Sequence, residues 1–232
     1  MTRALSVAGS YAVSVLRLGA GLAADGAGAR PRERLELYEF EACPFCRKVR
    51  EALTALDLDV LVRPCPKRGE RFRPVVRERG GKAQFPYLVD ADAGVALYES
   101  DDIVAHLYAR YGRGAPPLAL RLGPLGDLAS TLAGVPRAAR GGFARPSRAP
   151  AQPLELWSFE ASPYCRLVRE TLCELELPYV LRNVGRGGAA RDELRGLAGR
   201  VQVPFLRDAN TGAAMLESAD IVAYLEREYA RA

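Results

Sequence analysis

The chain has 232 residues, 49% apolar and 26% charged, with a net charge of +5; that length suits one large domain or two of ordinary size. The positive excess comes from 30 Arg beside only 3 Lys, a skew that codon usage explains better than a selected basic surface, so it does not point to nucleic acid. The five cysteines, Cys43, Cys46, Cys65, Cys165 and Cys173, are too sparse and too odd in number for a disulfide framework and indicate a reducing compartment.

Residues 1–33 form an N-terminal segment. Residues 1–24 contain Arg3 and Arg17 but no acid, and Arg17 inside the apolar run argues against a secretory signal. No window in the chain reaches the roughly 18 uninterrupted apolar residues of a membrane span, so the expectation is a cytoplasmic protein without a membrane partner. The run from Tyr11 to Leu22 predicts a leading helix.

Residues 34–113 read as strand (35–40), helix (44–57), strand (59–64), helix (69–79), strands (86–90 and 95–98) and helix (100–112), a β-α-β-α-β-β-α unit. Val49, Leu53 and Leu56 share one helical face. Val60-Leu61-Val62 is a short continuous apolar run, suited to a parallel strand covered on both faces. Asp92-Ala93-Gly94 closes a hairpin at the sheet edge. Residues 114–152 are a linker. Its apolar stretch near Leu125 to Ala133 resembles the leading helix, and its basic, proline-punctuated stretch at 137–148 reads as a solvated tether.

Residues 153–232 repeat the first unit. Leu35-Glu36-Leu37-Tyr38 aligns with Leu154-Glu155-Leu156-Trp157, and Phe85-Pro86 with Val203-Pro204. Glu99-Ser100-Asp101-Asp102-Ile103-Val104-Ala105 returns as Glu217-Ser218-Ala219-Asp220-Ile221-Val222-Ala223. A tandem duplication accounts for the match, and each unit is large enough for its own core.

Cys43-Pro44-Phe45-Cys46 lies where the first strand passes into the first helix. The unpaired N–H groups and positive dipole end of that helix favour a thiolate, and Pro44 at the first helical position gives up an N–H that had no partner. Arg47 and Lys48 add positive charge nearby. The competing readings are two buried small hydrophobes or half of a zinc site, and the latter lacks a second cysteine pair or a histidine cluster; His106 is the only histidine and reads as a helix-surface or core residue. The second unit carries Ser162-Pro163-Tyr164-Cys165 instead, so a dithiol cycle is impossible there. Cys65 is a third redox thiol or a core residue, its flanking prolines hinting at a surface turn, and Cys173 is a packed hydrophobe.

With these residues in place, the chain resembles the thioredoxin superfamily, on the branch of glutaredoxins and glutathione transferase N-terminal domains, and is most similar to tandem proteins of that kind. The resemblance implies an α/β fold of two tandem thioredoxin-like domains. It implies that Cys43 is the exposed nucleophile and Cys46 the resolving thiol, and that Pro86 and Pro204 are cis. The backbone at Phe85 and Val203 would pair with the cysteinyl part of glutathione, and Glu99-Ser100 and Glu217-Ser218 would hold its γ-glutamyl end. Read without the resemblance, Ser100 is a helix N-cap with Asp101 and Asp102 complementing the dipole. Some transferases keep a serine at the position of Ser162, where it stabilises bound glutathione as thiolate; otherwise the second unit is a structural copy in which Cys165 has no nucleophile to resolve.

The expected function is a glutathione-linked thiol–disulfide oxidoreductase acting on protein or small-molecule disulfides, with glutathione as co-substrate and no metal. The rivals are a glutathione transferase or isomerase using Ser162, and a non-enzymatic module binding glutathione or an iron–sulfur cluster through Cys43.

Overall fold

The computed structural model describes residues 21–24, 28–117, 120 and 140–231. The segment near 125–133 and all of the leading run except Gly21 and Leu22 lie outside them. The first unit comprises β1 (Leu35–Glu39), α1 (Pro44–Ala55), β2 (Val60–Pro64), α2 (Arg73–Gly80), β3 (Tyr87–Asp90), β4 (Val95–Leu97) and α3 (Ser100–Tyr111). The second comprises β5 (Leu154–Ser158), α4 (Pro163–Glu174), β6 (Tyr179–Asn183), α5 (Ala190–Ala198), β7 (Phe205–Asp208), β8 (Ala213–Leu216) and α6 (Ser218–Tyr229). The order is the expected one in both units. Helix α2 starts later than residue 69 because Pro74 fits only a first helical turn.

The two units do not keep separate sheets. Their eight strands form one sheet in the order β4-β3-β1-β2-β6-β5-β7-β8, joined where β2 and β6 run antiparallel through Val60 with Leu181, Leu61 with Val180 and Val62 with Tyr179. Alone, each of these strands would present an unpaired apolar edge; pairing removes both. The short hairpin strands β4 and β8 are left at the outer edges, as the turn residues predict.

Alternation along the strands sorts the core into layers. Leu35 and Leu37 of β1 enter a large cluster with Val49 and Leu53 of α1 and Ile103 and Leu107 of α3. The same cluster contains Leu154 and Leu156 of β5, Val168 and Leu172 of α4, and Ile221 and Leu225 of α6. On the other face, Tyr38 packs with Val76 and Tyr87, and Trp157 with Leu194 and Phe205, as two separate clusters. Thus the expectation of an independent core in each unit holds on one face only.

Contacts between the halves are reciprocal. Leu22 and Ala24, which precede the first unit, hydrogen-bond Arg186 of the second (3.0 and 2.8 Å), while Gly142 and Ala144, which precede the second, hydrogen-bond Lys67 of the first (2.7 and 2.9 Å). Gly21 and Gly141 both adopt positive φ (75° and 72°). A Cβ there would lie 2.8 Å from that of Glu160 and 2.7 Å from that of Glu41, so only glycine permits the approach. The basic linker is not a solvated tether over its described part. Arg145 pairs with Glu174 (3.1 Å) and Glu226 (2.5 Å), and the Arg148 guanidinium donates to the Glu228 carbonyl (2.7 Å) and pairs with its carboxylate.

Candidate functional site

Cys43 is the N-cap of α1, in extended conformation (φ −79°, ψ 122°), with Pro44 opening the helix. This geometry turns the Cys46 N–H onto the Cys43 sulfur at 3.3 Å. A hydrogen bond from the Cys46 thiol, opposed by burial and reinforced by the Cys46 amide, holds the Cys43 thiol below its ordinary range. The other four thiols are pushed up, chiefly by burial. Thiolate character is therefore concentrated on Cys43.

Two expectations about this thiol need correction. Cys43 is 4% exposed instead of open to solvent, because its sulfur turns inward to the amides and lies 4.0 Å from the Phe85 carbonyl oxygen; the exposed member of the motif is Phe45. Nor do Arg47 and Lys48 act as free positive charges. Arg47 Nε pairs with Glu51 (3.0 Å) and Glu160 (3.7 Å), Lys48 Nζ pairs with Asp101, and the guanidinium that lowers the thiol is Arg50.

The Phe85–Pro86 peptide is cis, as is Val203–Pro204. The Gln84 amide donates to the Glu99 carboxylate, tying the proline turn to the start of α3, and the Lys48–Asp101 pair ties α3 to α1. The segments 43–46, 84–86 and 99–101 are thus one connected surface. Ser100 is not the N-cap. Glu99 occupies that place with φ 59° and ψ 122°, and the buried Ser100 is the first helical residue. Positive φ is costly for glutamate, of order 1–3 kcal/mol, and such outliers tend to mark ligand sites.

The second unit reproduces this backbone. Ser162 caps α4 at φ −75° and ψ 119°, its Oγ accepting the Cys165 N–H at 3.3 Å. Glu217 repeats the positive φ at 67°, the Gln202 amide donates to its carboxylate at 2.5 Å, and the buried Ser218 opens α6. The register places the C-terminal end of β1 and that of β5 at opposite ends of the joined sheet, so the Cys43 and Ser162 sites are separate.

Cys65 is fully buried with Tyr38 and Val76, a core residue, although the expected surface turn does follow it: the Gly69 N–H donates to the Pro66 carbonyl at 3.0 Å, with Lys67 and Arg68 exposed between them. Cys173 is also buried, accepting the Glu41 N–H at 3.4 Å and donating to the Gly141 carbonyl at 3.2 Å. His106 Nε2 lies 2.8 Å from the buried Asp90 carboxylate, a structural role. Among the described residues no three His, Cys, Asp or Glu side chains are grouped as a metal site, and no helix is long and apolar enough to cross a membrane. A concavity of about 620 Å³ lined by Arg30, Arg34, Asp59 and Glu193 contains none of the residues above.

Sequence reasoning missed a buried ionic ring between the units. Arg50 donates to Glu160 at 2.8 Å and pairs with Glu41 at 3.3 Å; Arg169 pairs with Glu41 at 3.1 Å and with Glu160 at 2.9 Å. Arg47 with Glu51, and Arg166 with Glu170, flank it symmetrically. Glu41 and Glu160 each lie two residues before Cys43 and Ser162, so the loop bearing each of these residues is anchored to the helix of the other unit. The available signal was the recurrence of all four charges at one offset.

Residues 37–117 and 156–232 match the family described as glutathione S-transferase, N-terminal domain. The chain belongs to that family, twice over. Its two glutathione S-transferase N-terminal domains are tandem thioredoxin-like units of the kind the motifs implied. A glutathione transferase from Bombyx mori is a solved structure with 26% identity and a TM-score of 0.33; the match covers 37% of this chain and 39% of that one, so the chain spans about two fifths of that protein's length. No curated protein matches. Family membership supports a glutathione-related function.

The ring makes stability pH-dependent. Burial, with Glu41 and Glu160 adding to it against the pull of Arg50, raises the Glu39 carboxyl from 4.5 to about 7. Burial works the same way on Glu160, but Arg169, Arg50 and Arg47 outweigh it and hold that carboxyl at about 2. Between about 2 and 4.5 the unfolded chain binds the extra proton at Glu160, so stability climbs with pH; between 4.5 and about 7 the folded chain binds it at Glu39, so stability falls as pH rises. Urea unfolding across this range should show both limbs. In Glu39→Gln the upper decline should shrink while the lower limb stays.

Proposed function

We propose that the first unit is a glutathione-linked thiol–disulfide oxidoreductase with Cys43 as nucleophile and Cys46 as resolving thiol. The observation that carries it is the Cys43 sulfur at a helix N-cap, receiving the Cys46 N–H at 3.3 Å beside the Phe85 carbonyl that precedes a cis proline. Cys43 thiolate attacks a mixed disulfide of glutathione with a protein or small molecule, keeping glutathione on its own sulfur and releasing the other partner as thiolate. Either Cys46 or a second glutathione then displaces the bound one. The Phe85 backbone suits the cysteinyl part of glutathione, and Glu99 and Ser100 its γ-glutamyl end. Such chemistry fits the cytoplasm, where thiols are kept reduced.

Cys43→Ser should abolish reduction of a glutathione mixed disulfide, and Cys165→Ser should leave most of it, because Cys165 has no nucleophile upstream. Equal damage from both would require electron exchange between the units and would contradict the assignment.

The second unit supports a further reading, as a glutathione-binding copy, because the cis Val203–Pro204 peptide, the positive φ of Glu217 and the Gln202–Glu217 bond all repeat. There Ser162 is the residue that would face the glutathione sulfur, as in a transferase-like site. Because the halves share a sheet and a core, the test belongs in the full chain. Calorimetry should find two glutathione sites, one weakened by Ser100→Ala and the other by Ser218→Ala, each by about 1.5–3 kcal/mol, roughly ten- to hundredfold. A single site lost only with Ser100→Ala would make the second unit a structural copy.

A further inference from the structure

The two units differ where the loop after the second strand of each meets the chain that precedes the other. Both loops make a parallel bridge with that incoming chain, Lys67 with Phe143 in the first unit and Arg186 with Ala23 in the second. The next residue has positive φ in both copies, 64° at Arg68 and 84° at Gly187. Glycine suits that backbone and arginine is strained in it. The unit that keeps both cysteines therefore carries a strained cation and an aromatic ring where its copy has glycine and alanine.

Phe143 is 43% exposed, and Lys67 Nζ and Arg68 Cζ each lie 5.6 Å from its ring centroid. Both cations are exposed, and among the described residues neither has an ion-pair partner. Beside them lies a concavity of about 510 Å³ lined by Arg68, Glu70, Arg145 and Glu176, among others. The Glu176 carboxylate is taken up by the Glu70 and Arg71 N–H groups at 3.2 and 3.1 Å, and Arg145 pairs with Glu174 and Glu226. That leaves Lys67 and Arg68 facing Glu70 alone on this rim.

The cluster is continuous with the Cys43 site. Lys67 follows Pro66, whose carbonyl accepts Arg73 Nε at 2.9 Å, and the Arg73 guanidinium lies 4.7 Å from the centroid of the Phe85 ring. The Phe85 carbonyl oxygen is in turn 4.0 Å from the Cys43 sulfur. A substrate held at Cys43 and extending past Phe85 thus reaches two cations without carboxylate partners and an open aromatic face.

We propose that Lys67, Arg68 and Phe143 form a docking surface for an acidic segment of a protein mixed disulfide. The proposal rests on the oxidoreductase reading and adds its substrate class: glutathionylated proteins with carboxylates flanking the modified cysteine. Those carboxylates supply the charge that the two cations lack, and the exposed ring takes the apolar part of the same segment. A small mixed disulfide does not extend to this surface.

The test compares, with the full chain, glutathione mixed disulfides of three thiols: a peptide with glutamates beside its cysteine, the same peptide with lysines there, and mercaptoethanol. The parent should favour the glutamate peptide over the lysine peptide in kcat/KM, and the preference should shrink as salt rises. Arg68→Gly combined with Phe143→Ala copies the second unit at both positions and removes a strained φ. It should lose about five- to tenfold in kcat/KM on the glutamate peptide, through KM, and keep the parent's rate on the mercaptoethanol disulfide. Lys67→Glu leaves the backbone bonds to Gly142 and Ala144 in place; it should narrow the preference by itself, and it decides the matter if the double variant fails to fold. Equal loss on all three substrates would assign the cluster to glutathione itself and overturn the proposal. A parent indifferent to peptide charge, or variants that keep its preference, would overturn it too. A parent inactive on all three contradicts the oxidoreductase reading and this proposal with it.

Discussion

Two buried arginines, Arg50 and Arg169, hold the molecule in its working form. Each is about 1% exposed and each reaches the glutamate that precedes the other unit's motif. A buried ion pair contributes little net stability, because desolvation offsets attraction, but removing one partner strands a charge and costs about 3–5 kcal/mol. Such a ring therefore specifies an arrangement more than it strengthens one. Here it specifies that Glu41 and Glu160 point across the interface, and the positive-φ glycines Gly141 and Gly21 let the flanking chain close over them.

The site depends on that arrangement through short covalent distances. Glu41 is two residues from Cys43, and Arg50 lies one turn beyond Cys46 on the same helix, so the ring fixes both ends of the segment that aims the Cys46 N–H at sulfur. The joined sheet has a parallel effect on the floor of the site. Pairing β2 with β6 buries both strands that would otherwise be edges, and the core beneath α1 and α4 is shared between the units. The cost is that neither unit is a self-sufficient domain on that face.

Much of this was legible in the sequence, for local reasons. The duplication exposed the unit, the spacing of Val49, Leu53 and Leu56 marked α1, and the Cys43-Pro44 step marked its cap. The partnership of β2 with β6 was not legible, because a covered parallel strand and a strand paired with a second sheet are both continuous apolar runs. Arg47 and Lys48 pointed toward the thiol when taken singly; in the fold their partners Glu51 and Asp101 draw them away, and the guanidinium that acts on the thiol is that of Arg50. The abundance of arginine, reasonable as codon bias, concealed that four of them are buried and repeated. The prolines around Cys65 suggested a turn, and only the packing of α2 over the end of β2 shows that the thiol is enclosed. Ser100 fitted a cap until the backbone of Glu99 took that role.

The most direct measurement is the alkylation rate of each of the five cysteines in the native chain as a function of pH, mapped by mass spectrometry after iodoacetamide treatment. Cys43 should react first, with a rate that inflects below the ordinary thiol range of about 8.5, while Cys46, Cys65, Cys165 and Cys173 stay unmodified until the protein is unfolded. Uniform labelling of the folded chain, or a preference for Cys65, would contradict a thiolate centred on Cys43.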